Sequence, residues 1–376
     1  MFELPDRYVA LQQEARELAA ECADVAARAD EADHVDRDVR ERLRASGLAA
    51  VTVASDYGGR FPAVDSLAVT VVREALAGES AHLDSLFAMQ GIGSYAIWTG
   101  GTEAVRERWL PAVANLDAIA ALALTEPGVG SDLRSIATTV RPHGDALVVD
   151  GHKSFITNAG DADFYSVLGT EADGYSLVLV PTDTPGVRVE HPHQIIAPHV
   201  LGDVVFEGVR VPADHRLGAP GKGFGLVLAT LSTFRVSVAG AAVGLAEAAL
   251  REAVRHAAGR EQFGVPLARL GSVPAALASS WTDIEMARAL TYRAAAAATR
   301  DPRGALHLSS LAKVGATEAA ARVVDRCVQV MGRFGLVRGS KIERLYREAR
   351  PMRIYEGATE VIYDSLAKQL VKELTG

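Results

Sequence analysis

The 376 residues include only two cysteines, Cys22 and Cys327, and neither forms a CxxC pair. A disulfide framework and a cysteine-rich zinc site are therefore excluded, and both thiols are expected in helix cores as small hydrophobes. Aromatic residues are also scarce, at 6%. With alanine abundant, that scarcity favours long, closely packed helices over an all-β sandwich. No dense Lys/Arg run occurs, and 47 acidic against 39 basic residues leave a net charge of −8. The basic stripe of a nucleic-acid binder is missing, so an anionic ligand would have to be met by local arginines and helix N-termini. No stretch reaches about 18 uninterrupted apolar residues, and no membrane-spanning helix is expected. The first residues, MFELPDRYVALQQ, lack the basic segment and apolar run of a secretory signal. Together these features suggest a cytoplasmic enzyme that binds neither nucleic acid nor membrane.

Apolar residues make up 49% of the chain, enough for a large core. Three segments differ in periodicity. Residues 1–118 read as helical: Leu11, Ala15, Leu18, Cys22 and Val25 recur every three or four positions, and similar patterns cover roughly 64–78, 82–99 and 102–114. Residues 119–222 read as short strands. In DALVVDGHKSFIT, β-prone residues flank Asp150-Gly151, a pair suited to a tight hairpin turn. Residues 223–376 are helical again. Val243, Ala246, Leu250 and Val254 share a face, and the Ala-rich runs 283–299 and 305–331 suit a four-helix bundle. The expected fold is mainly α with a central β domain: an N-terminal helical domain, a small antiparallel β-barrel or sheet, and a C-terminal four-helix bundle.

Four motifs carry chemistry. Ala123 to Asp132, ALTEPGVGSD, puts glycines where a backbone can approach a ligand, with Thr125, Ser131 and backbone N–H groups as donors. It lacks the Lys-Ser/Thr of a Walker loop, and alone it reads more readily as an ordinary Gly-rich turn. In Lys153 to Asn158, KSFITN, period two puts Phe155 and Thr157 on one face, an aromatic wall beside a hydroxyl; a core Phe and a solvated Thr are the plain alternative. Arg260 to Gly264, REQFG, offers an arginine for a phosphate and a phenylalanine for an adenine. It fits as well a helix C-terminus capped by Gly264. Ile354 to Val361, IYEGATEV, sets Glu356 before a glycine and a new helix, where it could face a cleft or cap the helix.

Taken together, TEPGVGSD, KSFITN, REQFG, the Gln329–Gly332 stretch and IYEGATEV resemble the acyl-CoA dehydrogenase family in order and spacing over nearly the whole chain. The resemblance implies a homo-oligomer, tetramer or dimer, that binds FAD and desaturates an acyl thioester carried by CoA or a carrier protein. Electrons would pass to an electron-transfer flavoprotein-like acceptor. It implies Glu356 as the base for the α-proton, with Arg235 orienting it; Phe234 precludes the alternative base position on that earlier helix. Leu124, Thr125, Gly130, Ser131, Phe155 and Thr157 correspond to contacts with the flavin and its pyrophosphate. Arg260, Gln262, Phe263, Gln329 and Gly332 correspond to groups reaching a neighbouring subunit's FAD. Gln90, Tyr355 and Gly357 correspond to substrate contacts. Ala358 and Glu360 lie near the flavin in the family, although many relatives carry Thr at the first position and some carry Gln at the second. A second departure is EHPHQIIAPHVLGDVVF, which lacks the family's Lys/Gly/Arg/Ser-containing pattern. His191, His193 and His199 have no carboxylate or cysteine to complete a site, so no metal is expected. The competing reading keeps the fold and makes the protein a flavin oxidase or monooxygenase; Glu356 argues against the monooxygenase branch, which needs no α-proton base.

Overall fold

The fold was determined as a computed structural model, in which the described residues are 4–172 and 174–375. Residues 1–3 and 376, the outer ends of the first and third expected segments, lie outside the described residues. Helices come first: α1 (Asp6–Glu21), α2 (Ala23–Ala29), α3 (Arg37–Ser46), α4 (Ser66–Ala77), α5 (Ala81–Gly100) and α6 (Glu103–Ala114). The expected stripe is buried, as Leu11, Ala15, Leu18, Cys22 and Val25 are each at most 6% exposed. Helix α3 shows how local sequence sets its ends. The Asp36 carboxylate accepts from the N–H groups of Asp38 and Val39 at the start, and Gly47 adopts φ 64° at the stop.

Strands follow: β1 (Ala120–Ala123), β2 (Thr139–His143), β3 (Ala146–Thr157), β4 (Phe164–Glu171), β5 (Gly174–Pro181), β6 (Val187–Glu190), β7 (Leu201–Pro212) and β8 (Arg216–Leu217). They form one sheet in the order β6-β7-β3-β2-β4-β5-β8, with β1 also on β4. Most pairings are antiparallel, but β1 and β2 both run parallel to β4. The sheet is covered on both faces. Phe164, Leu168, Leu177 and Leu179 join Ile97, Trp109 and Val113 in one core. The alternating residues Tyr165, Val167, Val178 and Val180 join Val149, Val204 and Phe206 in the other.

The hairpin turn is not at Asp150-Gly151. Strand β3 continues through that pair, and the chain reverses at Gly144, which has φ 63°. A glycine is needed at 151 for another reason: a Cβ there would sit 2.3 Å from Thr138 Oγ1. The register on β7 shifts between Val149 and Gly151, so the pair marks a bulge.

The remaining elements are α7 (Gly223–Gly259), β9 (Glu261–Gln262), β10 (Val265–Pro266), α8 (Val273–Arg300), α9 (Leu306–Met331), α10 (Lys341–Ala349) and α11 (Thr359–Thr375). One helix, α7, is long and apolar enough to cross a membrane by length and composition, but 72% of the relevant stretch is buried inside the protein. Its buried stripe drifts from the expected line. Val243 and Ala246 are buried, but the stripe continues through Ala249, Ala253 and Ala257, leaving Val254 43% exposed. Small side chains win because they allow close approach.

Packing divides the chain into two compact units, residues 1–30, 66–84 and 235–376 in one, and 31–65 and 85–234 in the other. In the first unit, α7 meets α4 at glycines. A Cβ on Gly244 would lie 1.8 Å from Glu74 O, and one on Gly240 would lie 2.5 Å from Thr70 O. A buried polar chain ties the same unit: Arg288 Nε donates to Glu74 at 2.9 Å, Tyr292 Oη donates to Glu74 at 2.7 Å, and Gln12 donates to Tyr292 at 3.0 Å. Alanine favours an isolated helix over glycine by about 1 kcal/mol, yet Gly244→Ala forces a backbone clash. We expect a net loss of roughly 2–3 kcal/mol in urea unfolding; an unchanged or raised midpoint would contradict the close α4–α7 packing.

Candidate functional site

Glu356 lies on an elbow between α10 and α11. Its φ is 50° and that of Gly357 is 110°, both unusual for L residues. Gly357 is required there, because a Cβ would come within 2.9 Å of Ile362 Cδ1. Two cations, the half-buried Arg235 and the buried Lys313, hold the elbow by its carbonyls. Arg235 Nε donates to Glu356 O at 3.1 Å, and Lys313 Nζ donates to Gly357 O at 2.6 Å. Arg235 also bonds Ser310 Oγ at 3.1 Å. The arms are tied down by Glu318, which accepts from Arg353 at 2.8 Å and from Thr359 at 3.0 Å.

The carboxylate itself is 17% exposed. Its Oε1 stands 3.9 Å from Arg73 Nη1, and its Oε2 is buried with no hydrogen-bond partner among the described residues. Among those residues it does not cap α11. Burial pushes the Glu356 carboxyl above the ordinary glutamate range; Arg73, Arg235 and Lys313 oppose the rise, and Asp84 adds to it. Lys313 is fully buried, and that burial brings its ammonium down to about 8. Arg73 is clamped by Asp84 through Nε and Nη2, at 2.9 and 2.7 Å.

Sequence reasoning found Glu356 and Arg235 but missed Arg73, Asp84 and Lys313. The available signal was a charge inside an otherwise apolar helical stretch, as in SLAVTVVREALA. Of the other residues expected here, Tyr355 is 38% exposed, Ala358 is half-buried, and Glu360 is exposed in the first turn of α11.

In the second unit the two central motifs are stitched together. Lys153 Nζ donates to Leu124 O at 2.8 Å and to Glu126 Oε1 at 2.9 Å, and the Ser154 N–H donates to Thr125 O at 2.9 Å. Glu126 also accepts from Ala137 N–H at 2.7 Å, Thr138 N–H at 2.9 Å and Thr138 Oγ1 at 2.6 Å. Those bonds outweigh its burial and keep its carboxyl below the ordinary value, while burial brings Lys153 down to about 8. The outer part of the loop is open: Gly130 and Ser131 are exposed, and a Cβ on Gly128 or Gly130 would meet nothing within 4 Å.

Phe155 is not a core residue. It has φ 56° at a register shift in β3, and its side chain is 49% exposed. Ile156 is buried and Thr157 half-buried, so Phe155 and Thr157 share the open side of β3. Asp203 anchors the bulge by accepting from Ser154 Oγ at 2.7 Å and Phe155 N–H at 3.3 Å. The imidazole of His193 stacks on Phe155 at 4.4 Å. His191 bonds Leu201 O and His199 bonds Ser85, so the three histidines have separate partners. Gln90 is fully buried, its amide bonded to Leu86 O at 3.0 Å and Ala120 N at 3.4 Å.

Arg260 to Gly264 does not end in a helix cap. Helix α7 stops at Gly259, and β9 pairs with β10 across a two-residue turn in which Phe263 and Gly264 have φ 53° and 79°. Phe263 stands 94% exposed at its tip. Arg260 lies over the Phe334 ring at 5.1 Å. Gln262, Gln329 and Gly332 are also exposed.

Family models match nearly the whole chain. The acyl-CoA dehydrogenase N-terminal domain matches residues 5–117, the middle domain 121–209 and the C-terminal domain 221–371. The cyclohexane-1-carbonyl-CoA dehydrogenase of Geobacter metallireducens is 32% identical over 369 residues, 96% of each chain. A chain from the Acidaminococcus fermentans electron transferring flavoprotein study of flavin-based electron bifurcation superposes with TM-score 0.94 at 28% identity, covering 99% of this chain and 100% of that one. FkbI, described for biosynthesis of the methoxymalonyl extender unit of the Fk520 polyketide, gives TM-score 0.86 at 33% identity, covering 96% and 99%.

The stitch makes a prediction. Glu126→Gln strands Lys153 as an uncompensated buried cation and should cost about 3–5 kcal/mol in denaturant unfolding. The double variant Glu126→Gln/Lys153→Met should recover much of that loss; a single variant as stable as the parent would refute the coupling.

Proposed function

Because the chain belongs to the acyl-CoA dehydrogenase family, we propose that Glu356 is its catalytic base, removing the α-proton of an acyl thioester. The protein is an oxidoreductase acting on CH–CH groups of an acyl-CoA. The observation that carries the assignment of Glu356 is its buried Oε2, an acceptor with nothing to accept from, on a strained elbow held by two cations.

The residues present fit FAD. The open Gly128–Gly130 turn leaves room for a close backbone approach, and the exposed Phe155 ring offers an aromatic wall. Leu124, Thr125, Gly130, Ser131, Phe155 and Thr157 would hold the flavin and pyrophosphate, and the family resemblance implies Ala358 and Glu360 as further cofactor residues. Arg260, Gln262, Phe263, Gln329 and Gly332 would reach the cofactor of a neighbouring subunit in a homo-oligomer. When bound, FAD supplies the acceptor for the β-hydride. The rest falls to this chain's own groups. Arg235 fixes the elbow so that the Glu356 carboxylate faces Cα, and the Glu356 N–H polarises the thioester carbonyl as the enolate develops. Bound substrate excludes water from the carboxylate and raises its proton affinity further. CoA is the thioester carrier we favour, with a carrier protein as the variant. Reducing equivalents then pass to an electron-transfer flavoprotein-like acceptor.

Glu356→Gln should keep a yellow, folded protein and lower thioester-dependent flavin bleaching by about 10²–10⁴-fold. Bleaching at the parent rate would refute the assignment. Because Glu356 acts ionised and its carboxyl is pushed up by burial, α-proton exchange into deuterated water should fall as pH drops. The midpoint should lie above the ordinary glutamate value of about 4.3; a flat profile down to that pH would contradict the burial effect. Rapid oxygen consumption by the reduced enzyme would instead favour an oxidase.

A further inference from the structure

Beside the proposed base lies a buried ion pair that neither the base nor the cofactor motifs require. Arg73 on α4 is 3% exposed and Asp84 on α5 is 4% exposed. Both carboxylate oxygens accept from the guanidinium. Arg73 Nη1 also donates to Ser237 Oγ at 3.0 Å and reaches 3.9 Å from Glu356 Oε1, too long for a hydrogen bond. An arginine carries five N–H donors, and these bonds use three.

We infer that the Arg73–Asp84 pair is an acyl-group subsite selecting a short acyl chain with a hydroxyl close to the reacting carbons. This rests on Glu356 facing the α-carbon of a thioester, since 3.9 Å from the base is within reach of groups two or three bonds from that carbon. Three chemical alternatives can be weighed. A plain alkyl chain would press apolar surface against a buried guanidinium with unused donors, and would gain nothing from it. A carboxylate would find Arg73 already neutralised and would lie against Asp84 and Glu356, two like charges. A hydroxyl can accept from Arg73 and donate to Asp84, so it uses both members of the pair without adding charge. Both groups are already desolvated and locked to each other, so the hydroxyl meets prepositioned partners. Of the charged groups facing Glu356, Arg235 and Lys313 are committed to backbone carbonyls of the elbow, which leaves Arg73 and Asp84 to read the substrate.

The test is flavin bleaching by the holoenzyme with butyryl, 3-hydroxybutyryl, 4-hydroxybutyryl and succinyl thioesters, each on CoA and on a carrier protein. Binding of the non-acidic thioethers S-butyl-CoA, S-(3-hydroxybutyl)-CoA and S-(4-hydroxybutyl)-CoA gives a readout independent of turnover. At least one hydroxylated acyl group should exceed butyryl about 10- to 100-fold in kcat/KM and bind correspondingly tighter as its thioether. The double variant Arg73→Met/Asp84→Leu removes both charges together and so strands neither. It should retain its flavin and reverse the preference toward butyryl. Equal or better use of butyryl by the parent, a preference for succinyl, or an unchanged ratio in the double variant would overturn the subsite while leaving desaturation intact. Failure of every thioester to bleach the flavin would overturn the function proposed above and this inference with it. If the double variant does not fold, the thioether affinities of the parent still decide.

Discussion

A backbone elbow in left-handed geometry, fastened by two cations, is the constraint on which the proposed chemistry depends. Neither Arg235 nor Lys313 bonds the Glu356 carboxylate; each holds a carbonyl of the elbow. Cations that fix position through the main chain leave the carboxylate oxygens unspent. A hydrogen-bonded ion pair from either of them would have lowered the basicity of Glu356 further than Arg73 does at 3.9 Å and turned it away from a ligand. The arrangement costs strain at Glu356, of order 1–3 kcal/mol, which the surrounding bonds offset. Lys313, whose burial brings its ammonium down to about 8, is part of that cost.

The second unit uses the same strategy with different parts. Lys153 spans from the Leu124 carbonyl to Glu126, so the loop after β1 and the middle of β3 move as one body. The shift of register after Lys153 then turns Phe155 outward, and Asp203 locks the turned backbone. A regular strand would have buried two successive side chains on opposite faces. Here Lys153 and Ser154 are both buried, and an aromatic ring is set on the surface as a result.

Much of this was legible from residue order. The three-part helical, β and helical layout followed from periodicity, and the stripe from Leu11 to Val25 is buried as its spacing required. Other features were hidden because they depend on partners far away in sequence. The turn at Gly144 gives no stronger local signal than Asp150-Gly151, and only the approach of Thr138 explains the second glycine. The REQFG stretch read as a helix end because a two-residue hairpin and a cap both use a glycine at positive φ. Arg73 and Asp84 are eleven positions apart on successive helices, so no single-helix pattern joins them. Val254 carries the spacing of a core residue yet is exposed, because alanines take the close contact.

The Asp150-Gly151 pair has a further consequence, for how the protein ages. An aspartate followed by glycine is ordinarily prone to isomerise, since its carboxyl can fold back onto the next peptide nitrogen and close a five-membered imide. In β3 the Asp150 carboxylate instead accepts from the Gly208 N–H at 2.7 Å and pairs with Arg141. The extended backbone and these two partners hold the side chain away from ring closure. A sequence that invites chemical damage in a loop is thus kept intact by its place in a strand.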